Sequence, residues 1–113
     1  MTSTPKKRLT IFTRDGEACV SCGTTQDLTI HHRINRGAGG SKLFDGYAFL
    51  LTVCTYCNSM FESDSATAES ARELGYKLSR NMKPPVDPTT IPVWYYKEDA
   101  YFLLDNNGKR TEY

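Results

Sequence analysis

The stretch "LLTVCTYCNSMFESD" (Leu50–Asp64) brings three expected elements together without a linker. Its apolar start predicts a short strand, and the cysteines of "CTYC" predict a tight metal-binding turn. Apolar residues at helical spacing then run from Asn58 to about Arg80. We expect this helical segment to break near Asp64–Ser65, where the polar residues of "SDSAT" would cap a second helix.

The two cysteines of this stretch, Cys54 and Cys57, repeat the spacing of Cys19 and Cys22. Each CxxC turn presents two thiolates, and two such turns complete the tetrahedral coordination of zinc. The alternatives are two disulfides, which a reducing cytosol disfavours, and a redox pair, which needs only one CxxC motif. We therefore expect a structural zinc that clamps both ends of segment 22–54 and has no open coordination position.

Length and composition indicate one small domain of 113 residues, in which a metal would supplement a limited core. The predicted strands and helices along the chain favour the α+β class. No apolar run approaches the length of a membrane span, and the N-terminal residues lack the apolar segment of a signal peptide. We expect a cytoplasmic monomer without a membrane partner. The formal net charge of +1 hides an asymmetry, because residues 1–42 hold seven basic and three acidic residues. This basic part favours a local anionic ligand such as a phosphate backbone, with a solvated basic face as the alternative.

The basic part also contains "LTIHHRINRGAGGSK", with the only two histidines of the chain, His31 and His32. The alternating residues before them predict a strand that ends at the histidines, and the glycines that follow predict a loop. Neighbouring side chains of a strand point to opposite faces. The two histidines are therefore expected to act separately, one on a metal ion and the other on a substrate.

Several stretches together resemble HNH endonucleases of the ββα-metal (His-Me finger) superfamily, of the phage type with a four-cysteine zinc clamp. They are "RDGEACVSCG", "LTIHHRINRGAGGSK", "LLTVCTYCNSMFESD" and the trailing "ARELGYKLSR", "DPTTIPVWYY" and "FLLDNNGKR". The resemblance covers about residues 7–110. It implies a small zinc-stabilised ββα-metal fold with a C-terminal helix and β-hairpin. It also implies hydrolysis of double-stranded DNA with Mg²⁺ or Mn²⁺, by nicking or by a double-strand break that leaves a 5′ phosphate. In phages such proteins often accompany the DNA-packaging terminase, so terminase subunits are an implied partner.

The resemblance assigns roles to individual residues. His31 would be a ligand of the catalytic ion, and His32 would be the general base that takes a proton from the attacking water. Contacts to DNA would come from the basic residues around the glycine loop, Arg33, Arg36 and Lys42.

The chain departs from the family motif at two positions. Asn58 stands where the motif has its last histidine, and an amide oxygen suits a hard ion such as Mg²⁺. Glu62, one helical turn later, would face the same ion, while a helix N-cap is the alternative role for Asn58. Phe49 stands where the motif has its middle asparagine, with Asp45 or Tyr47 as a substitute.

These departures keep a second interpretation open, a catalytically weak or inactive zinc-stabilised module for DNA binding or assembly. A thiol redox protein is a third interpretation, which a zinc measurement would exclude.

The expected division of the chain is a disordered N-terminus (1–6), a zinc-clamped core (7–82) and a C-terminal part (83–113). The core would begin with a short helix or an extended arm up to Arg14. The C-terminal part would contain a proline-rich linker and an aromatic hairpin of Val93–Tyr96 and Tyr101–Leu104. We expect this hairpin to pack on the core, with a stacking platform for unpaired bases as the alternative.

Overall fold

The computed structural model describes residues 5–34, 46–79 and 86–113. Within these ranges the chain forms three helices and five strands, and the strands make two small antiparallel sheets. The helices are α1 (Pro5–Arg14), α2 (Thr55–Ser63) and α3 (Ser65–Glu73). The strands are β1 (Leu28–His32), β2 (Leu50–Cys54), β3 (Val93–Tyr95), β4 (Ala100–Leu104) and β5 (Arg110–Glu112). The predicted α+β class is confirmed.

Strands β1 and β2 pair in antiparallel fashion, with His31 opposite Leu51 and His32 opposite Leu50. Helix α2 follows β2 directly, because Cys54 is its N-cap and the Cys54 Sγ accepts a hydrogen bond from the Cys57 backbone N–H. Asn58 is therefore the fourth residue of α2. The alternative role of Asn58 as the cap of this helix is wrong, since Cys54 has that role.

The predicted break between two helices is confirmed at Asp64. This residue ends α2 and caps α3, where its carboxylate accepts hydrogen bonds from the backbone N–H and the hydroxyl of Thr67. The chain leaves α3 at Gly75, whose φ of +86° is a left-handed conformation. A Cβ at Gly75 would lie 2.1 Å from the carbonyl oxygen of Pro92, so the chain after α3 passes very close to the segment that leads into β3.

The two faces of the β1–β2 sheet are covered by different helices. Ile30 and Leu50 pack against Ile11 of α1. Leu51 and Val53 belong to the larger core, which also contains Phe61 of α2. This alternation follows from the period of two in a strand, and it separates the surroundings of His31 from those of His32.

The second sheet has the order β3–β4–β5. The residues of β3 and β4 match the predicted aromatic hairpin, and Tyr95 and Leu104 are buried in the larger core. The third strand, β5, was not predicted because Arg110–Glu112 lacks an apolar alternation. Strand β5 pairs with β4 because the turn that joins the two strands brings them side by side.

Helix α1 begins at Pro5. Pro5 and Lys6 are therefore helical, whereas the sequence predicted that residues 1–6 are disordered. Proline suits the first turn of a helix because its missing N–H has no partner to lose there. Residues 1–4 lie outside the described residues. Among the described residues, the longest helix is too short and too polar to span a bilayer.

Candidate metal and catalytic site

The four cysteines meet where the loop after α1 crosses the junction of β2 and α2. All four are free thiols, and their Sγ atoms lie within 4.8 Å of one another, with Cys22 and Cys54 at 3.8 Å. A tetrahedral zinc thiolate with bonds of about 2.3 Å places its sulfurs ~3.8 Å apart. The four cysteines can therefore hold a structural metal such as zinc, as the paired CxxC motifs predicted.

Local backbone contacts hold the first cysteine turn in place. The Cys19 carbonyl accepts from the Gly23 N–H at 2.8 Å, and the Val20 N–H donates to the Thr52 carbonyl at 3.0 Å. Gly23 has a φ of +82° and lies against the ring of Tyr96. Burial raises the pKa of the Cys19 thiol, so a metal that binds here must displace protons.

His31 is the buried polar centre on the α2 side of the β1–β2 sheet, with 3% of its surface exposed. Its Nε2 lies 2.8 Å from the Tyr76 carbonyl oxygen, and its Nδ1 lies 3.1 Å from Oδ1 of Asn58. The edge of the ring also contacts Phe61, with the two ring centroids 5.0 Å apart. Because a carbonyl oxygen only accepts, Nε2 must carry a proton.

The protonation of His31 decides what its other nitrogen can do. Burial lowers the pKa of His31, more than the hydrogen bonds to Tyr76 and Asn58 raise it. A neutral ring with its proton on Nε2 presents the lone pair of Nδ1 to Asn58. A backbone carbonyl that fixes the tautomer in this way is common behind metal-binding histidines.

The Nδ1 atom of His31 and the Oδ1 atom of Asn58 thus form a pair of acceptors 3.1 Å apart. Adjacent ligands of a six-coordinate ion with bonds of about 2.1 Å lie ~3.0 Å apart, so this pair fits two neighbouring positions of such an ion. Without a cation, rotation of the Asn58 amide would let its Nδ2 donate to Nδ1. Either a cation or a rotated Asn58 amide would therefore satisfy the Nδ1 atom of His31.

Glu62, the third predicted ligand of this ion, lies one helical turn after Asn58 on α2. Its Oε2 accepts from the Lys77 ammonium at 2.8 Å, and half of the Glu62 side chain is exposed. Lys77 also donates to the Phe61 carbonyl at 3.3 Å. Glu62 is thus engaged in an ion pair, and binding of a metal by its carboxylate would require Lys77 to release it.

His32 is the last residue of β1 and is half-buried. Its pairing with Leu50 and the alternation of the strand put it on the face shared with Ile30 and α1. His31 is on the opposite face, next to Asn58. The two histidines therefore have different surroundings, as the adjacency in a strand predicted.

Arg33 has a different role from the predicted contact with DNA. It is 1% exposed, and its guanidinium donates to the backbone carbonyls of four residues, at 2.8 to 3.1 Å: Ala48, Gly75, Pro88 and Ile91. Burial, with a smaller effect of the nearby Arg14, lowers the pKa of Arg33 to about 9. A guanidinium bonded to four carbonyls inside the protein is not available to a phosphate. Arg36 and Lys42, the other predicted DNA contacts, lie outside the described residues.

The segment that contains Phe49 is tied down from several sides. The Phe49 carbonyl accepts from the Arg33 N–H at 2.8 Å, and the Tyr47 carbonyl accepts from the Arg14 guanidinium at 2.9 Å. The Ala48 N–H donates to Oδ1 of Asn106 at 3.2 Å. Hydrogen bonds from two buried arginines and from a distant asparagine thus hold the segment around Phe49. The resemblance implies that the middle asparagine of the family motif would stand at Phe49. Asp45, one of the two suggested substitutes, lies outside the described residues.

A second buried polar cluster, around Arg14 and Asp15, was not predicted from the sequence. The Arg14 guanidinium makes two hydrogen bonds to the Asp15 carboxylate, at 2.8 and 3.0 Å, and Asp15 also accepts from the Thr52 N–H and the Tyr95 hydroxyl. Burial and the Asp15 charge raise the pKa of Tyr95 well above its ordinary value, so Tyr95 is the donor. Only the dipeptide "RD" before the first cysteine turn hinted at this ion pair.

Comparisons of the chain with protein-family models, with curated proteins and with solved structures found no match. The roles of the four cysteines and of the His31–Asn58 pair therefore rest on their own geometry and chemistry.

Proposed function

We propose that the protein is a metal-dependent DNA endonuclease of the ββα-metal type, with a structural zinc at its four cysteines. The observation that carries the proposal is the acceptor pair formed by His31 Nδ1 and Asn58 Oδ1 at 3.1 Å. The pair joins β1 to α2 beside a separate cysteine cluster, which is the arrangement that the resemblance implies. A buried neutral histidine whose Nε2 proton is fixed by a carbonyl suits metal ligation.

In this proposal a divalent ion such as Mg²⁺ or Mn²⁺ would be held by His31 and Asn58, with Glu62 as a third ligand after Lys77 releases it. Its chemistry there would be Lewis-acid stabilisation of charge on the scissile phosphate and on the leaving 3′ oxygen. His32 would accept the proton of the attacking water as the new P–O bond forms and the P–O3′ bond breaks. The product would carry a 5′ phosphate.

The proposal is tested by incubating supercoiled plasmid with the purified, zinc-loaded protein, with and without added Mg²⁺ or Mn²⁺. We expect nicking that requires the added ion and that is lost in His31→Ala, Asn58→Ala and His32→Ala. Ser59→Ala is a matched control, because Ser59 is an exposed neighbour of Asn58 on α2. Zinc content and circular dichroism must match the wild type in every variant. Equal nicking by wild type and His32→Ala would show that His32 is not the base.

A second candidate is a DNA-binding or assembly module that keeps the cysteine clamp and lacks catalysis. Two contacts favour it: the Glu62–Lys77 ion pair, and the ability of His31 and Asn58 to satisfy each other once the amide is rotated. Partners for such a module would include DNA and the packaging terminase that the resemblance implies. DNA binding without nicking under any divalent ion would favour this candidate over the nuclease.

A further inference from the structure

A groove of about 460 Å³ lies between α1 and the turn that joins β4 to β5. The helix contributes one wall and the turn contributes the other, through eight residues: Leu9, Thr10, Thr13, Arg14, Asn107, Gly108, Lys109 and Arg110. This volume falls within the range of small-ligand sites, so it has room for a sugar-phosphate unit. The groove is separate from both metal-binding clusters, because its lining includes no member of either.

The lining of the groove is cationic. It includes three basic side chains and no acidic one. Two of these cations form ion pairs: Arg14 pairs with Asp15, and Arg110 pairs with Glu98. Lys109 is exposed and has no ion pair within the described residues.

A further lysine extends this cationic surface along the helix. Lys6 lies one turn before Thr10 on the same face of α1, and it is exposed. Like Lys109, it makes no ion pair with any residue that the structure describes. Lys109 therefore leaves positive charge in the groove, and Lys6 adds positive charge on α1 one helical turn beyond the lining.

The walls of the groove are held rigidly. Gly108 has a φ of +81°, and a Cβ there would lie 2.6 Å from Cγ2 of Thr10, so the turn approaches α1 as only glycine permits. The Arg110 guanidinium lies over the rings of Tyr95 and Phe102, at 4.5 and 4.4 Å from their centroids. A cation held by two rings and by Glu98 loses little further freedom when an anion binds near it.

We propose that this groove binds phosphodiester groups of a DNA strand outside the reactive centre. Lys109 and the exposed Thr13 in the lining, with Lys6 one helical turn beyond it on α1, match the cation and hydroxyl contacts that proteins make to phosphates. The groove lies on the α1 side of the β1–β2 sheet, the side that also carries His32. The identity of the anion as DNA rests on the proposed function, whereas the position of the groove does not.

The test measures DNA binding by the zinc-loaded protein without added Mg²⁺ or Mn²⁺, so that cleavage is not supported and the metal of the cysteine cluster stays in place. Fluorescence anisotropy of a short labelled duplex is titrated with the wild type, with the double variant Lys6→Gln/Lys109→Gln, with the single variant Lys109→Gln and with the control Lys97→Gln. Lys97 is an exposed lysine of the β3–β4 turn, so Lys97→Gln removes one charge outside the groove, as Lys109→Gln removes one inside it. We expect the double variant to raise Kd on the order of tenfold and to lower the slope of log K against log salt by about two. Lys97→Gln should bind as the wild type does.

Two results would overturn the proposal. One is equal binding by the wild type and the double variant, or an equal loss in Lys97→Gln and Lys109→Gln, because the charge of the groove would then have no special role. The other is an absence of DNA binding by the zinc-loaded wild type under these conditions. Plasmid nicking is measured separately. If the groove binds DNA but the protein never nicks the plasmid, the inference about the groove stands and the proposed nuclease activity is wrong.

Discussion

The Arg14–Asp15 cluster and the His31–Asn58 pair lie on opposite faces of the β1–β2 sheet and satisfy their buried polar atoms differently. In the first, guanidinium protons meet carboxylate and carbonyl oxygens, and Asp15 accepts further hydrogen bonds from Thr52 and Tyr95. In the second, the lone pair of His31 Nδ1 faces the Asn58 oxygen. The first cluster matches donors with acceptors, and the second has an excess of acceptors.

This difference separates a structural cluster from a candidate ligand site. Buried polar groups that are fully matched stabilise the fold and leave no atom for a ligand. Two acceptors that converge on one point attract a cation, whether a proton, an amide hydrogen or a metal ion. Mutations in the first cluster should therefore change stability alone, and mutations of the half-buried Asn58 in the second should change metal binding with little effect on stability.

The largest expected effect comes from Cys54→Ser, because the cysteine cluster anchors the sheet that carries both polar clusters. Structural zinc contributes an apparent ~10 kcal/mol or more in small zinc-dependent folds, so loss of one ligand should unfold much of the chain. Metal content by mass spectrometry and circular dichroism measure the two consequences. Thr55→Ala, at an exposed position between the second pair of cysteines, is the control. A folded Cys54→Ser protein with wild-type thermal stability would contradict a metal clamp.

Asp15→Asn should have the next largest effect. It leaves the Arg14 guanidinium buried without a counterion, which typically costs about 3–5 kcal/mol of unfolding free energy. Urea denaturation measures the loss, and the content of metal should stay unchanged in the folded variant.

Asp27→Asn is the matched control for this prediction, because Asp27 is exposed and its φ of +55° is one that asparagine tolerates. If both variants lost the same stability, the Arg14–Asp15 ion pair would not be the cause.

Asn58→Asp should change metal binding more than stability. It places a carboxylate beside His31 Nδ1, so we expect tighter Mn²⁺ binding, whereas Asn58→Ala should bind Mn²⁺ more weakly than the wild type. Without added Mn²⁺ the new charge faces Glu62 one turn away, a repulsion of only about 0.5 kcal/mol. Titration calorimetry measures the affinity. If the wild type, Asn58→Asp and Asn58→Ala bind Mn²⁺ with the same affinity, the His31–Asn58 pair does not bind the ion and has only a structural role, like Arg14–Asp15.

Features that depend on neighbours in the sequence could be predicted. The spacing of the cysteines, the break at Asp64 and the aromatic hairpin all have local signals, and each agrees with the structure. The opposite placement of His31 and His32 also follows from the period of a strand.

Features that depend on distant backbone atoms could not be predicted. Arg33 resembled a phosphate contact because arginines are rarely fully buried, but its partners are carbonyl oxygens of Ala48, Gly75, Pro88 and Ile91, which any residue type supplies. The hydrogen bond between His31 and the carbonyl of Tyr76 could not be predicted from the sequence either, because it joins residues 45 positions apart.

The smallest expected effect is that of Asp64→Ala, which acts only on the α2–α3 side of the sheet. Hydrogen bonds from Thr67 lower the pKa of Asp64 below its ordinary value of 3.8. The contribution of a carboxylate with a lowered pKa is fully present above the ordinary value and is lost as the pH falls through the folded-state pKa. The cap lost in Asp64→Ala should therefore lower the melting temperature by the same few degrees from pH 8 down to about pH 5.5.

Thermal unfolding followed by circular dichroism across this pH range tests the prediction, with Ser65→Ala as the control at the adjacent exposed position. Because α3 leads to Tyr76, whose carbonyl fixes the proton of His31, loosening this helix should also weaken Mn²⁺ binding slightly. The same variant should leave the Arg14–Asp15 cluster unchanged. A difference in melting temperature that shrinks between pH 8 and 5.5 would mean that a group titrating near neutrality, and not Asp64, sets the stability of this side.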